Sequence, residues 1–479
     1  MYTYQDFTNE KDVTTGMRKA IIDHKDSETY KTAVVADLYD AQRNKTISEY
    51  IHLIWTLSGS PVEDFTASNN KIPSNFFARL NTQRMTYSLG NGISFTNKEY
   101  IINEDGVEEV VDTTKERLGE RFDKDMADIA YYGLIHGVSF GFWNVDRLHC
   151  FKVTEFAPLY DEETGALRAG IRFWQLTKDK PLFAVLYEED GYTKYRAPAN
   201  SYNFEEIQAK KAYKQIVAHT EAGGDAVIGE ENYSALPVVP FYGSRLKQST
   251  LIGMREKIDS FDLIRSGFAN DLTDCAQIYW ILENCSGMSD AELAKFRDRL
   301  KINHIAVADT INSKATPYTQ DIPFQARQAY LDSIRAGIYE DFGGLDVHTI
   351  AAGATNDHID AAYQPMDENA DDFEYQVLEF IQQVLSLMGI VDTPIFKRNR
   401  ISNQAEQTQM ILSAAEYLDD ETILNKLPFI TVDEVAKILA AKDEEADDRY
   451  EEDEEGLGGD EDDGLDAEFD SLEAELEAE

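Results

Sequence analysis

One long apolar stripe limits what this chain can fold into. From Leu251 to Cys275 apolar residues recur every three or four positions, which is the spacing of one helix face. Such a helix has about 25 residues and is about 37 Å long at ~1.5 Å per residue. A second helical pattern runs from Pro323 to Phe342, with its apolar residues on one side. We therefore predict a pair of long helices.

About 47 residues separate the two helices, from Ala276 to Ile322. They contain two strand-like stretches, IYWILENC and HIAVAD, with the helical piece SDAELAKFRDRL between them. We predict a small α/β excursion at the tip of the helical pair.

The chain before the first long helix divides into a helical and a β-rich part. Helical spacing predicts helices at Thr46–Leu57 and Asn75–Leu89, which end near Gly59 and Gly90. From Val138 to His219 the sequence changes to short runs of aromatic and β-branched residues broken by the turns DEETG and EEDG. The predicted fold class is therefore α+β.

A stretch of small and turn-forming residues, GGLDVHTIAAGATNDHIDAA, runs from Gly343 to Ala362 between the second long helix and another helical segment, Phe373–Leu387. Loops of about 20 residues are uncommon in compact domains and are usually functional or disordered. We predict a functional loop here.

The formal charge of −44 restricts the partners of the chain. The segment 443–479 has 21 acidic residues against Arg449, so the other residues still carry about −24. Stable nucleic-acid binding relies on Lys and Arg that neutralise phosphates spaced roughly 1.7 Å apart along a duplex. A gripping DNA contact is therefore not expected, and the tail is predicted to be disordered.

The remaining composition points to a soluble chain in a reducing compartment. The 43% of hydrophobic residues can fill substantial cores. Cys150, Cys275 and Cys285 have neither the even count nor the spacing of a disulfide framework or a zinc site. No apolar run is long enough to span a membrane, and the N-terminus does not resemble an export signal.

One formal match to a catalytic motif is present. Gly137 to Gly141, GVSFG, fits the nucleophile elbow of serine hydrolases, which needs a strand before the serine and a helix after it. Here a helical pattern precedes Ser139 and a strand pattern follows, so a tight helix-to-strand turn is favoured. Phosphate-binding glycine motifs are missing from the sequence, and no metal or cofactor site is predicted.

Four strings, in their order along the chain, resemble the portal proteins of tailed bacteriophages, especially those of long-tailed, non-contractile-type phages. They are NFFARLNTQRMTYSLGNGISF, DIAYYGLIHGVSFGFWNVD, LPVVPFYGSRLKQSTLIGMREKIDSFDLIRSGFANDL and AAEYLDDETILNKLPFITVDEVAKIL. The similarity covers nearly the whole chain up to about Lys442.

The resemblance implies a non-enzymatic ring, usually of twelve copies, at one capsid vertex of the virion, assembled in the host cytoplasm. Double-stranded DNA would pass through the ring during packaging and ejection, without sequence-specific binding. The implied partners are other copies of the chain, the major capsid and scaffolding proteins, the large terminase subunit and the head-tail adaptor. No membrane and no cofactor is implied.

The resemblance also gives each segment an expected place. It implies a wing at 1–235, stem helices at 236–275 and 323–341, a clip at 276–322, a tunnel loop at 342–362, a tunnel helix at 363–390, wing and crown helices at 391–442, and the acidic tail at 443–479. The expected stem subunit interface is Met254, Ile258, Phe261, Phe268, Leu331, Ile334 and Ile338. The expected clip residues, which dock terminase or adaptor, are Tyr279, Trp280, Glu283, Asn284 and His304.

The expected tunnel-loop residues are His348, Thr349, Gly353, Thr355, Asn356, Asp357 and His358. The loop contains no Lys or Arg, whereas many relatives are thought to present a basic residue there, so contact with DNA by shape is preferred to contact by charge. The chain also has Pro365 where relatives often have a Ser-Gly-x-Ala-like turn. Two alternatives stay open: an acidic adaptor or scaffold of the virion without a channel, and a hydrolase that uses Ser139.

Overall fold

A computed structural model describes much of the chain, which divides into two compact units, Met1–Asp346 with Tyr363–Arg400 and Val347–Ala362 with Ile401–Glu479. The residues it describes are 1–55, 59–65, 67–102, 108–219, 225–275, 279–283, 289, 291, 295, 314–318, 324–349, 355–400, 404–413, 422–424 and 438.

The N-terminal part is helical, with α1 (Tyr4–Thr8), α2 (Val13–Asp26), α3 (Glu28–Asp40) and α4 (Lys45–Ser48). The Ser27 side chain ends one helix and begins the next, since its hydroxyl accepts from the Tyr30 backbone N–H at 3.2 Å. This is the ordinary N-cap role of serine.

The predicted helix Thr46–Leu57 is wrong beyond its first turn. Helix α4 ends at Ser48, and Leu53–Trp55 forms strand β1, which pairs with β2 (Pro61–Glu63). Isoleucines at 47, 51 and 54 fit helical spacing, but a short apolar run of β-branched and aromatic residues suits a strand equally well. No helix face is buried there to favour the helix.

Helix α5 (Phe76–Leu89) confirms the second N-terminal prediction, and it ends at Gly90. The next elements are β3 (Ile93–Phe95), β4 (Lys98–Ile102), β5 (Glu108–Asp112), α6 (Thr113–Leu118) and α7 (Phe122–His136).

The β-rich prediction is confirmed and extends beyond His219. A five-stranded antiparallel sheet has the order β12-β11-β10-β9-β8, and a three-stranded sheet has the order β15-β6-β7. The strands are β6 (Val138–Asn144), β7 (Arg147–Lys152), β8 (Phe156–Tyr160), β9 (Leu167–Trp174), β10 (Leu182–Glu188), β11 (Gly191–Ala197), β12 (Glu205–Lys211), β13 (Lys214–His219), β14 (Asp225–Glu231) and β15 (Val238–Tyr242).

The GVSFG segment is a helix-to-strand turn, as predicted. Gly137 lies between α7 and β6 with φ of 87°, a left-handed conformation that favours glycine. A Cβ at this position would lie 2.6 Å from the Gln248 carbonyl carbon. The turn therefore lets the chain that leads into the first long helix pass directly over it.

Two long helices follow, α8 (Arg255–Cys275) and α9 (Phe324–Phe342), with strands β16 (Tyr279–Glu283) and β17 (Lys314–Tyr318) between them. Helix α8 begins four residues after Leu251. The predicted strand HIAVAD (304–309) lies outside the described residues. After a 3-10 turn at Val347–Thr349 come α10 (Asn356–Met388), β18 (Pro394–Phe396), which pairs with β3, and α11 (Gln404–Ser413).

Helix α10 begins at Asn356 and contains Pro365. It therefore starts earlier than the helix predicted from Phe373, and it includes residues that were predicted to be loop as far as Ala362. Proline normally disfavours the helix around it. Here the buried stripe starts well before Phe373 and holds the helix together across the proline. Its members from unit one are Tyr363, Met366, Ala370, Phe373, Val377, Phe380, Ile381 and Val384.

The largest core joins α7 and the three-stranded sheet to the second half of α10. Phe241 of β15 lies edge-on to Phe380 of α10, with ring centroids 5.7 Å apart. A Cβ on Gly141 would lie 2.4 Å from the Phe380 ring, so glycine at this position of β6 allows the ring to pack against the strand. The α+β class is thus confirmed. Within the described residues, no helix has the length and apolarity needed to cross a bilayer.

Candidate functional site

The two long helices lie side by side and run in opposite directions. Lys257 near the start of α8 pairs with Asp341 near the end of α9, whereas Asp271 near the end of α8 pairs with Arg327 near the start of α9. The Phe268 and Phe324 rings add a contact near the Asp271–Arg327 pair, with centroids 5.5 Å apart. Contacts at both ends therefore fix the register of the pair.

The apolar residues expected at the subunit interface are largely buried within the single chain. Met254, Ile258, Leu331 and Ile338 are buried, and Ile258 and Ile338 are 1% and 0% exposed. Phe261 and Ile334 are half-buried against the same core, and Phe268 is half-buried farther along α8. Residues of α3 and α5 cover the first part of this stripe, whereas Leu272 near the end of α8 is exposed.

An aromatic contact shows how α5 covers the helix pair. Phe76 lies edge-on to Phe261 of α8, with centroids 5.0 Å apart, and to Tyr339 of α9, with centroids 6.1 Å apart. One ring from α5 thus packs against both long helices. The sequence places these residues far apart, so the contact could not be read from spacing.

A second face of α8 is polar and binds the segment from Tyr39 to Ser74. The Tyr39 and Thr46 hydroxyls donate to the Asp259 carboxylate at 2.5 and 2.6 Å. The Ser74 backbone N–H donates to Asp262 at 2.9 Å, and the Asn44 amide donates to the same carboxylate.

The same face continues toward the end of α8. The Ser266 hydroxyl accepts from the Ile72 backbone N–H at 3.1 Å, and the Asn270 side-chain oxygen accepts from the Asn70 backbone N–H at 2.6 Å. This polar face was not predicted from the sequence. The sequence did contain a signal for this face, because polar residues recur every three or four positions and so form a second stripe on the helix. They are Asp259, Asp262, Ser266 and Asn270.

Burial raises the pKa of Asp262, while the hydrogen bonds from Asn44 and Ser74 act in the opposite direction. The side-chain oxygen of Asn44 is buried and has no hydrogen-bond partner among the residues that the structure describes. A buried carboxylate is costly unless donors surround it. Asp262 therefore anchors the N-terminal segment to α8 at a cost that its donors only partly offset.

Helix α5 also holds the end of α9 and the chain that leads out of it. The Arg84 guanidinium donates to the Phe342 carbonyl at 2.7 Å and lies over the Phe342 ring. The Gln83 amide donates to the Leu345 carbonyl at 2.9 Å and accepts from the Leu345 N–H at 3.0 Å. The start of the predicted tunnel loop is therefore attached to α5.

One turn farther along α5, Tyr87 holds two more segments. Its hydroxyl donates to Asp367 of α10 at 2.6 Å and accepts from Arg400 at 2.9 Å, and its ring stacks on Tyr363 with centroids 5.6 Å apart. Burial and the bond to Asp367 raise the pKa of Tyr87 to about 12.

Arg398 joins the segment after β18 to three carboxylates on one face of α10. It donates to Glu374 at 2.9 Å and to Asp367 at 3.0 Å, and it also pairs with Asp371. Burial opposes ionisation of Asp367, but its bonds with Arg400 and Tyr87 outweigh that effect and lower its pKa. These contacts, which the sequence analysis did not identify, secure residues 398–400 before the chain enters the second unit.

The predicted tunnel-loop residues fall into different local structures. His348 and Thr349 lie in the 3-10 turn, and the Thr355 carbonyl accepts from the His358 N–H at 3.1 Å at the start of α10. Asn356 is the first residue of α10, and Asp357 and His358 are exposed in its first turn. Gly353 lies outside the described residues. No cluster of three or more potential metal ligands occurs among the residues that are described.

The predicted clip residues Tyr279, Trp280 and Glu283 lie in β16, which pairs antiparallel with β17. In this register Glu283 is opposite Lys314. Asn284 and His304 lie outside the described residues, so their expected places stay predictions.

Ser139, the candidate nucleophile, lies at 0% exposure in β6 after α7. Its hydroxyl donates to the Ile129 carbonyl of α7 at 2.6 Å. A nucleophile elbow presents its serine to solvent between a strand and a helix. Neither condition holds here, and Ser139 has a structural role in packing the strand on the helix.

Comparison with known proteins gives a consistent result. The family model for "Phage portal protein, SPP1 Gp6-like" matches residues 18–448. The portal protein of Bacillus phage SPP1 is 22% identical over 406 residues, which cover 78% of this chain and 76% of that protein. The portal protein of Clostridium phage phiCD119 is 28% identical over 220 residues, which cover 44% of this chain and about half, 49%, of that protein. Because the family match includes both long helices, the sheets and α10, this chain belongs to the SPP1 Gp6-like family of phage portal proteins.

Proposed function

We propose that this chain forms a closed ring, with twelve copies, at one vertex of a phage capsid, and that double-stranded DNA passes through the ring during packaging and ejection. The observation that carries the proposal is the family match over residues 18–448. Heterologous contacts between identical subunits close into a ring when each contact repeats the same rotation.

The charge of the chain suits a conduit for DNA. With a formal charge of −44, a ring of these subunits repels the phosphate backbone over most of its surface. Strong Lys and Arg contacts would have to break at each advance of the duplex, because each one displaces condensed counterions. We infer that the bore lets DNA slide without gripping it.

The tunnel loop at 342–362 acts in this proposal as a compliant gasket around the duplex. It lacks Lys and Arg, and its end next to α9 is attached to Gln83 and Arg84. Asp357 and His358 are exposed at the start of α10 and would contact DNA by shape.

In this proposal the paired strands β16 and β17 belong to the clip, which docks first the large terminase subunit and later the head-tail adaptor. The wing and the helices after residue 391 would contact the major capsid and scaffolding proteins. The ring itself performs no catalysis in this proposal, since the packaging ATPase supplies the energy.

We propose that the contact between neighbouring stems uses a partly different set of residues from the one predicted. Met254, Ile258 and Ile338 are buried inside the single chain, so this proposal does not assign them to the contact. Leu272 on α8 and Phe324 and Tyr330 on α9 are large, apolar and exposed. We assign the stem interface to these side chains, together with half-buried Phe268.

The mass and symmetry of the purified particle test the ring. We expect mass photometry to give the mass of about twelve subunits, and we expect averaged electron-microscope images to show a central channel. A protein that stays monomeric at all salt and protein concentrations would contradict the proposal.

The loop has a separate test. Removal of residues 351–354, which precede α10, should leave ring assembly intact and lower the amount of nuclease-protected DNA in a packaging assay. The matched control replaces the same four residues by Gly and Ser without changing the length. Normal packaging by the shortened variant would remove the tunnel-loop assignment.

A further inference from the structure

The hairpin tip, which we define as residues 50–55 and 59–65, exposes several large apolar side chains. All six residues of β1 and β2 are exposed, on both faces of this two-stranded sheet. Trp55 is 71% and Phe65 is 84% exposed. The other exposed apolar members are Tyr50, Ile51, Leu53, Ile54 and Val62. Clusters of this kind on a soluble surface usually mark an interaction site.

Among the described residues, contacts with α8 lie at the base of the hairpin tip. Next to it, the Asn70 N–H donates to Asn270 of α8, and the His52 ring nitrogen lies 3.3 Å from the Asn270 amide. The Lys71 ammonium donates to the Ser48 carbonyl at 2.6 Å. These contacts fix where the hairpin leaves the polar face of α8, and the apolar side chains beyond them stay exposed. A two-stranded hairpin alone is marginally stable in water.

Charge identifies the partner that fits. Residues 50–62 contain no Asp, Glu, Lys or Arg, in a chain with a formal charge of −44, and the two acidic residues of the hairpin tip, Glu63 and Asp64, follow at its end. Two copies of such an acidic chain repel each other over most of their surface. An uncharged apolar segment is where they can approach at the lowest electrostatic cost. The same lack of Lys and Arg makes the segment a poor ligand for nucleic acid.

We propose that the hairpin tip of one copy docks on the adjacent copy of this chain and acts as an arm that links neighbouring subunits. The inference rests on the proposed ring and deepens it, because it assigns the contact to residues that the stem interface does not include. The hairpin leaves α8 at Asn270, two residues from the exposed Leu272. The arm therefore continues the surface assigned to the stem contact. Trp55 and Ile54 are its central side chains.

The experiment uses the purified full-length chain and compares Trp55→Ser and Ile54→Ser with Leu176→Ser. Leu176 is 85% exposed in the connection between β9 and β10, so its variant removes a similar apolar surface elsewhere. Loss of a central apolar anchor is expected to raise the concentration at half-assembly about tenfold or more, whereas Leu176→Ser should leave it unchanged. Denaturation midpoints of the unassembled chains show whether each variant is folded.

A second measurement reports the contact directly. A photoreactive phenylalanine analogue placed at position 55 keeps an aromatic ring and should cross-link two copies of the chain, whereas the same analogue at position 176 should not. Copy-to-copy cross-links together with the tenfold shift would support the inference.

The failures of the two proposals are distinguishable. If the wild-type chain forms rings, but both hairpin variants assemble normally and position 55 yields no cross-link between copies, the arm is overturned while the ring stands. Cross-links from position 55 that go only to added phosphatidylcholine vesicles would also overturn it. If the wild-type chain forms no ring, both the proposed function and the proposed arm are contradicted.

Discussion

At the level of single residues, buried polar groups determine how the long helices are held. Asp262 is 0% exposed, and the donors around it come from Asn44 and Ser74, more than 180 positions earlier in the chain. A charged group of this kind is tolerated only where donors meet it. Asp262 fixes the position of the N-terminal segment on α8. Protonation of its carboxylate should therefore change the free energy of unfolding.

In the Asp262→Asn variant, we expect the pH dependence of stability to change in one direction. Burial raises the pKa of Asp262 above its usual 3.8, so the folded chain keeps the proton to higher pH than the unfolded chain. The stability from this group is thus present below the unfolded pKa and lost as pH rises through the folded pKa. Asparagine does not titrate, so the free energy of unfolding of the variant should rise relative to wild type over that window.

Urea unfolding from about pH 4 to about pH 7 measures this difference. Asp332→Asn on the exposed side of α9 is the control, and its difference from wild type should not follow the same trend. A difference for Asp262→Asn that is constant with pH, or that falls as pH rises, would show that the group does not titrate as argued.

Tyr87→Phe removes one hydroxyl and keeps the ring that stacks on Tyr363. The hydroxyl bonds to the Asp367 carboxylate and to the Arg400 guanidinium, and hydrogen bonds to charged groups contribute about 1.5–3 kcal/mol. We expect the free energy of unfolding to fall by about that amount. Tyr375→Phe, at an exposed position of α10, is the matched control. Equal unfolding free energies for the two variants would remove the anchoring role of Tyr87.

At the level of elements, α5 organises the surroundings of the candidate tunnel loop. One face of this helix holds the end of α9 through Arg84, the approach to the loop through Gln83, and α10 and Arg400 through Tyr87. Side chains spaced three or four apart share a helix face, so a single element can secure all three segments. The two long helices therefore gain their position from α5 as well as from each other.

Gly267 lies inside α8, and a Cβ there would meet nothing within 4 Å. Alanine is better than glycine in a helix interior by about 0.8–1.0 kcal/mol. We expect Gly267→Ala to raise the free energy of unfolding of the unassembled chain by about that amount. Gly137→Ala is the opposite control, since its positive φ and the close Gln248 backbone make it destabilising. Denaturant unfolding of both variants checks the pair, and a destabilised Gly267→Ala would mean that α8 is not continuous there.

At the level of the whole molecule, net charge sets the conditions for assembly. Each copy carries −44, and the segment from 443 to the end supplies 21 of its acidic residues. Like charges within about 10 Å interact strongly at 0.1 M salt, and screening increases with salt. Assembly of identical acidic subunits should thus depend on ionic strength.

Deletion of residues 443–479 tests this and separates the portal from an acidic adaptor. We expect the shortened chain to form the same particle at lower salt than the full chain, because less charge is brought together. Sedimentation velocity across a salt series measures the effect. A shortened chain that no longer assembles at any salt concentration would favour the adaptor, whose partner contacts would depend on the tail.

Local sequence patterns were sufficient for most elements. Periodicity and turn residues predicted α5, the β-rich section, the helix-to-strand turn at Gly137, and the long helices α8 and α9. Strand β1 at Leu53–Trp55 was predicted as part of a helix, because so short an apolar run fits both the helical period of 3.6 residues and the strand period of two. The early start of α10 was also not predicted, because Pro365 is a local signal against a helix and the buried stripe that outweighs it is not local.

What the sequence alone determined is thus the set of amphipathic segments, their order and, through four strings, the family. The tertiary structure decided which side chains cover them. Ile258 and Ile338, which were expected at a subunit contact, lie in the core of the single chain. Asp259 and Asp262 accept hydrogen bonds from a segment that is distant in the sequence. The physical reason is that periodicity records which face of an element is apolar or polar. The partner of that face depends on which remote segments meet it, and only the packed chain brings them together.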